Sequence, residues 1–181
     1  MGVGGGDGGA HLAGTQIPRI KQMTTDFYSP TLHEVYTAEI GVREATGNND
    51  GPRIAEYLQY CGLGEGYEWC AAFVSWCQGQ AGYTEPRNAW AAALFPLRRT
   101  VWKKDTGIKN KDRDVRRGDV FGIYHAGKKR IGHCGFVDEW DGTWCITVEG
   151  NVNNAVVRKR RPVKTIYAVS RWNDSTRMTR M

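Results

Sequence analysis

Four residues in this chain of 181 have the types and spacing for nucleophilic chemistry on a carbonyl: Cys70, His133, Glu149 and Asn151. Cys70 opens the segment WCAAFVSWCQGQAG, in which Phe73, Val74, Cys77 and Ala81 recur at helical spacing and Gly82 supplies the stop. The pattern predicts a helix with Cys70 in its first turn. A thiol there faces the positive end of the helix dipole and several backbone N–H groups that have no helical acceptor. Both favour the thiolate, which is the nucleophilic form. The same N–H groups can stabilise the oxyanion that develops on a carbonyl under attack. The alternative is that Cys70 is a small buried apolar residue like Cys61 or Cys77, and its place in the helix favours the nucleophile.

A thiol nucleophile needs a base. His133 lies in Gly132-His133-Cys134-Gly135-Phe136-Val137 at the start of an expected strand, with small residues beside it that leave room for another element. The plainer reading is a satisfied histidine at a sheet edge. His125, in a turn-like stretch, His33, on the first helix, and His11, in the N-terminal segment, compete less well. A base histidine works better when a third group fixes its tautomer and orientation. Glu149 and Asn151 end the next strand and share parity, so both can face one side of a sheet; otherwise they are a polar strand end entering a loop.

Hairpin register offers an internal check. A two-residue Asp141-Gly142 turn would set Glu149 on the wrong face from His133. A three-residue loop, Trp140-Asp141-Gly142, pairs Glu139 with Thr143 and sets His133 directly opposite Glu149, with Gly142 in the left-handed position. It also stacks Phe136 on Ile146 and Cys134 on Val148. This second register is the expectation, because core and site ask for it together.

The elements that must hold these residues follow from the rest of the chain. Residues 1–25 are glycine-rich and read as a flexible leader, 26–175 as a single domain and 176–181 as a tail. Thr31 and Glu34 have capping-box spacing ahead of Leu32, Val35, Tyr36 and Ile40. A breaker cluster at 47–52 starts a second helix with Pro52 early and Ile54, Tyr57 and Leu58 on one face. After the Cys70 helix, residues 88–97 suggest a short fourth helix and 103–117 a charged, solvated loop. Strands are expected over 119–124, 132–140, 144–149, 155–160 and 165–172. Helices first and strands afterwards predict an α+β domain with helices packed on a C-terminal antiparallel sheet.

Composition narrows the classes. The net charge of +6 favours anionic partners without choosing among nucleic acid, membrane surface and wall polymers. Five cysteines, with no C-x-x-C pair, leave no zinc-finger spacing and at least one free thiol. That points to folding in a reducing compartment. No apolar run approaches the ~20 residues of a membrane span, and no secretory signal is visible, so action outside the cytoplasm would need another carrier.

The segments Gly-Asn-Asn-Asp-Gly-Pro, Trp69-Cys70-Ala71-Ala72-Phe73-Val74, Gly118-Asp119-Val120, Gly132-His133 and Glu149-Gly150-Asn151 together resemble the CHAP family, cysteine, histidine-dependent amidohydrolases/peptidases with a papain-like fold. The resemblance runs from about residue 38 to 172 and is most specific at the Trp-Cys helix start and the Gly-His strand start. It implies hydrolysis of peptidoglycan at the sugar–peptide amide or within peptide stems and bridges. By this similarity Cys70 attacks, His133 accepts its proton, Glu149 orients His133 and Asn151 shares that last role. No cofactor or metal is implied. The implied setting is the cell wall, reached as a phage lysin, a virion-associated lysin or a delivered effector. Peptidoglycan is then the partner, with a phage particle, a secretion apparatus or an immunity protein as further ones. The oxyanion donor besides the Cys70 backbone is open among Asn48, Asn49 and Tyr67.

Three rivals stand beside this reading. One is a basic nucleic-acid-binding module, prompted by the Arg158-Lys159-Arg160-Arg161 run. That run lies on an expected strand beside Pro162, where a solvated strand edge is the usual meaning, and no nucleic-acid signature accompanies it. Another is a structural protein with a hydrolase-like fold and no activity, against which the joint presence of Cys70, His133 and Glu149 speaks. The last is a transamidase, which only products separate from a hydrolase.

Overall fold

The computed structural model describes residues 1–2, 30–104 and 115–174. The expected leader, apart from its first two residues, the tail and most of the charged loop lie outside them. Thr31 caps the first helix, α1 (Leu32–Ala38): its side chain accepts from Glu34 N (3.3 Å) while its own N–H donates to Glu34 Oε2 (2.8 Å). The capping box read from the spacing is therefore formed. Pro52 opens α2 (Pro52–Tyr60), where its missing N–H costs nothing. The third helix, α3 (Cys70–Gln80), begins at the nucleophile candidate itself. Helices this short are marginal alone and depend on packing. α3 accordingly buries most of its circumference, including Ala71, Phe73, Val74, Ser75 and Gln78.

In place of the short helix expected over 88–97 the chain forms two 3₁₀ turns, Ala91–Leu94 and Leu97–Arg99. They lead into a strand absent from the sequence reading, β1 (Thr100–Lys103). Then come β2 (Val120–His125), β3 (Arg130–Trp140), β4 (Trp144–Val152), β5 (Ala155–Pro162) and β6 (Ala168–Ser170), each within a few residues of its expected place. All pair antiparallel in one six-stranded sheet of order β1-β6-β2-β3-β4-β5. The domain is α+β, with the N-terminal helices packed on the C-terminal antiparallel sheet.

The two sheet faces bury separate clusters. Against the helices lie Tyr36, Tyr57, Trp69, Phe73, Phe136 and Val148, with the Tyr36 ring stacked on Phe136 at 4.6 Å. On the other face Phe121, Val137, Cys145, Ile166 and Val169 pack together. Gly150 in β4 lets α3 press onto the strand: a Cβ there would lie 2.7 Å from Trp69 Cζ3 and 2.9 Å from Phe73 Cβ. The start of α3, and Cys70 with it, is thereby brought against the sheet.

The β3–β4 register differs from the expected one. Phe136 pairs with Val148 and Val137 with Thr147; after a shift at Asp138, Glu139 pairs with Ile146 and Trp140 with Cys145. Four residues, 141–144, close the hairpin instead of three. Asp141 is the reason: its Oδ1 accepts from Thr143 N (2.8 Å) and Trp144 N (2.6 Å), which fixes the wider loop. Gly142 is left-handed as expected, with φ +87°. The bulge leaves Asp138 buried, where Tyr36 Oη donates to it (3.0 Å) and His33 Nε2 lies 3.1 Å away.

Candidate functional site

At the start of α3 the first intrahelical bond runs from Phe73 N to Trp69 O (2.8 Å), so the N–H groups of Cys70 and Ala71 have no helical acceptor. The preceding turn is anchored by Glu44, whose carboxylate accepts from Trp69 Nε1 (2.8 Å) and from Asn49 N (2.9 Å). The sequence reading passed over Glu44; its one signal was a charge next to the breaker cluster. The loop of 44–50 is thus tied to the residue that precedes the thiol. Within it Asn48 donates to Thr46 Oγ1 (2.8 Å), and Asn49 is left-handed at φ 57°. Tyr67 is exposed.

Cys70 is 4% exposed. Hydrogen bonding with the Cys134 thiol outweighs burial and, together with His133, holds the Cys70 thiol well below its ordinary value. His133 responds in the opposite sense. Burial disfavours its charge, but Cys70 and then Glu149 raise it to about 9. The two shifts run in the senses that favour a thiolate beside an imidazolium.

Glu149 Oε2 lies 2.8 Å from His133 Nε2. That contact occupies one ring nitrogen and leaves Nδ1 for the thiol. Glu149 is fully buried, and desolvation alone would raise its pKa. Hydrogen bonds from Arg161, His133 and Thr147 reverse this and lower it to about 2. Arg161 grips both carboxylate oxygens, Nε to Oε1 at 2.5 Å and Nη2 to Oε2 at 2.6 Å, a fork that suits guanidinium geometry. Thr147 Oγ1 donates to Oε1 as well.

The structure brings Cys70, His133 and Glu149 together, although not by the expected register. Because the true register differs from the expected one by two residues, parity is preserved. Glu149 reaches His133 diagonally rather than from directly opposite; a Cβ on Gly135 would lie 3.1 Å from Glu149 Cα, which marks Gly135 as Glu149's neighbour. Asn151 lies at the irregular end of β4 with φ 59°, and no hydrogen bond joins it to His133 among the described residues. His125 Nδ1 accepts from Lys128 N (3.2 Å).

Besides Glu44, two site residues escape the sequence reading. Arg161 was read as part of a solvated strand edge. β5 is indeed an edge strand, but only part of the basic run faces solvent: the Arg160 guanidinium lies 3.8 Å over the Trp144 ring, Arg158 pairs with Asp138, and Arg161 turns inward onto Glu149. Strand alternation along the run was the available signal. Cys134 was read only as a core residue; being adjacent to His133, it had no pattern of its own.

A thiol at a helix start, an imidazole beside it and a buried carboxylate on that imidazole thus meet where the helices of this α+β fold join the sheet. Residues 62–151 match the family model of the CHAP domain, and the chain belongs to the CHAP family. Among solved structures the chain is similar to one titled "X-ray Crystal Structure of PlyC", at 14% identity and a TM-score of 0.44, over 75% of this chain and 34% of that one. This chain thus spans about a third of that protein's length. No curated protein matches it.

Proposed function

We propose that this protein is a cysteine hydrolase that cuts peptide or amide bonds of bacterial peptidoglycan, as an endopeptidase or an N-acetylmuramoyl-L-alanine amidase, with Cys70 as nucleophile. Membership of the CHAP family supports peptidoglycan hydrolysis as the reaction class. The observation that carries the mechanism is the chain of contacts from Cys70 through His133 to the Arg161-clamped Glu149.

In this mechanism the Cys70 thiolate adds to the carbonyl carbon of the scissile bond. The resulting oxyanion is stabilised by the unpaired N–H groups at the start of α3. The His133 imidazolium gives its proton to the departing amine as the C–N bond breaks, which leaves a thioester on Cys70. Water then attacks the thioester, neutral His133 takes its proton, and release of the carboxylic acid restores the thiolate–imidazolium pair. Glu149 fixes the imidazole through Nε2 and stabilises its charge, and Asn151 stands at the same strand end as a secondary polar group. On this reading peptidoglycan is the partner, with a phage particle, a secretion apparatus or an immunity protein as further ones.

The test is release of new amino groups from purified peptidoglycan, with mass spectrometry of the fragments to assign the bond. A Cys70→Ala protein that is folded by circular dichroism and still cuts at the wild-type rate would overturn the reading.

A further inference from the structure

Beside the proposed site lies a cleft of about 560 Å³ that the mechanism does not use. Its walls come from the two chain segments that lead into the site. Tyr67 and Glu68 precede Cys70 by three and two residues, and Arg130 precedes His133 by three. Three residues of extended chain span at most ~11 Å, so a ligand in the cleft lies within reach of the thiol. Arg87, Trp90 and Lys128 complete the lining that matters here.

The chemistry of this lining is specific. Tyr67 and Trp90 are 57% and 55% exposed, in a protein that buries Trp69 and Trp172 almost completely. Three cations face one carboxylate, and that carboxylate, Glu68, is paired with Lys128 at 2.8 Å. Arg87 and Arg130 have no carboxylate partner among the described residues. Both guanidinium groups are nevertheless held in place. Arg87 lies 4.7 Å over the Tyr60 ring and donates from Nε to Tyr60 O (2.6 Å); Arg130 lies 5.7 Å over the Trp90 ring and donates to Ile131 O (3.1 Å). Fixed guanidinium groups without counter-ions, set between open aromatic faces, suit a ligand carrying a carboxylate next to an apolar or ring-shaped surface.

We propose that this cleft is the subsite for the peptide stem of the substrate and that Arg87 and Arg130 read a free carboxylate on it, so that the enzyme prefers acidic stems to amidated ones. The proposal rests on the hydrolase reading above and names the substrate class for that site. Tyr67 and Trp90 cover the rest of the stem, and Lys128 stays with Glu68 as part of the wall.

The test compares two soluble muropeptides that are identical except that one carries the free stem carboxylate and the other its carboxamide. Binding is measured by calorimetry on the Cys70→Ala protein and cleavage on the active enzyme. The acidic stem should bind about 10-fold more tightly, the scale of a hydrogen-bonded charge. The same preference should appear in KM rather than kcat, and it should shrink as salt is raised. Arg87→Gln and Arg130→Gln should each reduce the preference and together erase it. Equal affinity for the two stems, no binding of either, or a full preference in the double variant would overturn the inference. Cleavage without preference would leave the hydrolase reading standing and sink this one alone. Preferential binding without cleavage would uphold the cleft and overturn the hydrolase.

Discussion

Cys70 and Cys77 stand seven residues apart on α3, two turns along the same helix. Both are buried in the same core cluster, at 4% and 0% exposure. Their surroundings nonetheless push the two thiols in opposite directions. Burial, with the nearby Glu39 charge adding to it, pushes the Cys77 thiol well above its ordinary range. At Cys70 the Cys134 thiol and His133 overcome a comparable burial and pull it well below. Burial therefore does not decide whether a cysteine in this fold is inert. The decision lies with what the sheet presents to it and with its place at the free N-terminus of the helix.

The largest effects should come from breaking that asymmetry. Cys70→Ala should reduce peptidoglycan cleavage by at least ~10⁴-fold with the fold intact, and His133→Ala nearly as much. The double variant should be no worse than Cys70→Ala, since the residues act as one unit. Cys77→Ala should keep wild-type turnover and lose only about 1–2 kcal/mol of stability for its small cavity. Amino-group release and chemical denaturation read the two arms.

Glu149→Gln is the next largest, with a loss of up to ~10⁴-fold in kcat, and it carries a pH signature. His133 is raised to about 9, so the thiolate–imidazolium pair persists up to that pH, and kcat/KM should fall above it as the leaving amine loses its proton source. Without the Glu149 charge the alkaline limb should move to lower pH; an unmoved limb would remove Glu149 from the site. Stability follows the same signs. The His133 contribution is full below its ordinary 6.5 and is lost as pH rises through about 9. That of Glu149 is present above its ordinary 4.5 and is lost as pH falls through about 2.

Arg161→Met should act more on stability than on chemistry. It leaves Glu149 buried with half its partners, which costs about 3 kcal/mol by denaturation, and turnover should fall only about 10-fold while His133 still holds the carboxylate. The smallest perturbation leaves the sequence untouched. Iodoacetamide near neutral pH should label Cys70 first of the five cysteines, His133→Ala should slow that labelling, and Cys77 should react only on unfolding. Equal labelling of Cys70 and Cys77 would erase the comparison.

A second pair of residues shows where the sequence was legible and where it was not. Asp138 and Glu149 are both fully buried carboxylates of the sheet. Glu149 is marked in the sequence, together with Asn151, because both end the strand after the one that carries His133 and share its parity. Asp138, which receives Tyr36 and His33 at the bulge, carried no pattern to mark it. The bulge at Asp138 moves the β3–β4 pairing by one residue, after the loop that Asp141 fixes. The expected register failed in its pairs and succeeded in its face, because a shift of two residues leaves side-chain parity unchanged.

What the sequence by itself determined is what neighbouring residues enforce on one another. The capping box of Thr31 and Glu34, the opening of α2 at Pro52, the start of α3 at Cys70 and the left-handed Gly142 are all settled within about four residues of chain. The order of thiol, imidazole and carboxylate was equally legible, since alternation fixes which strand residues share a face. Only the tertiary structure decided that Cys134 would lie against Cys70, that Arg161 would turn in to clamp Glu149, and that Thr100 would pair with Ser170 at the sheet edge. Those contacts join residues 12 to 70 positions apart. They form because helices and strands must bury their apolar faces against one another, and a local pattern cannot say which polar groups that burial will bring together.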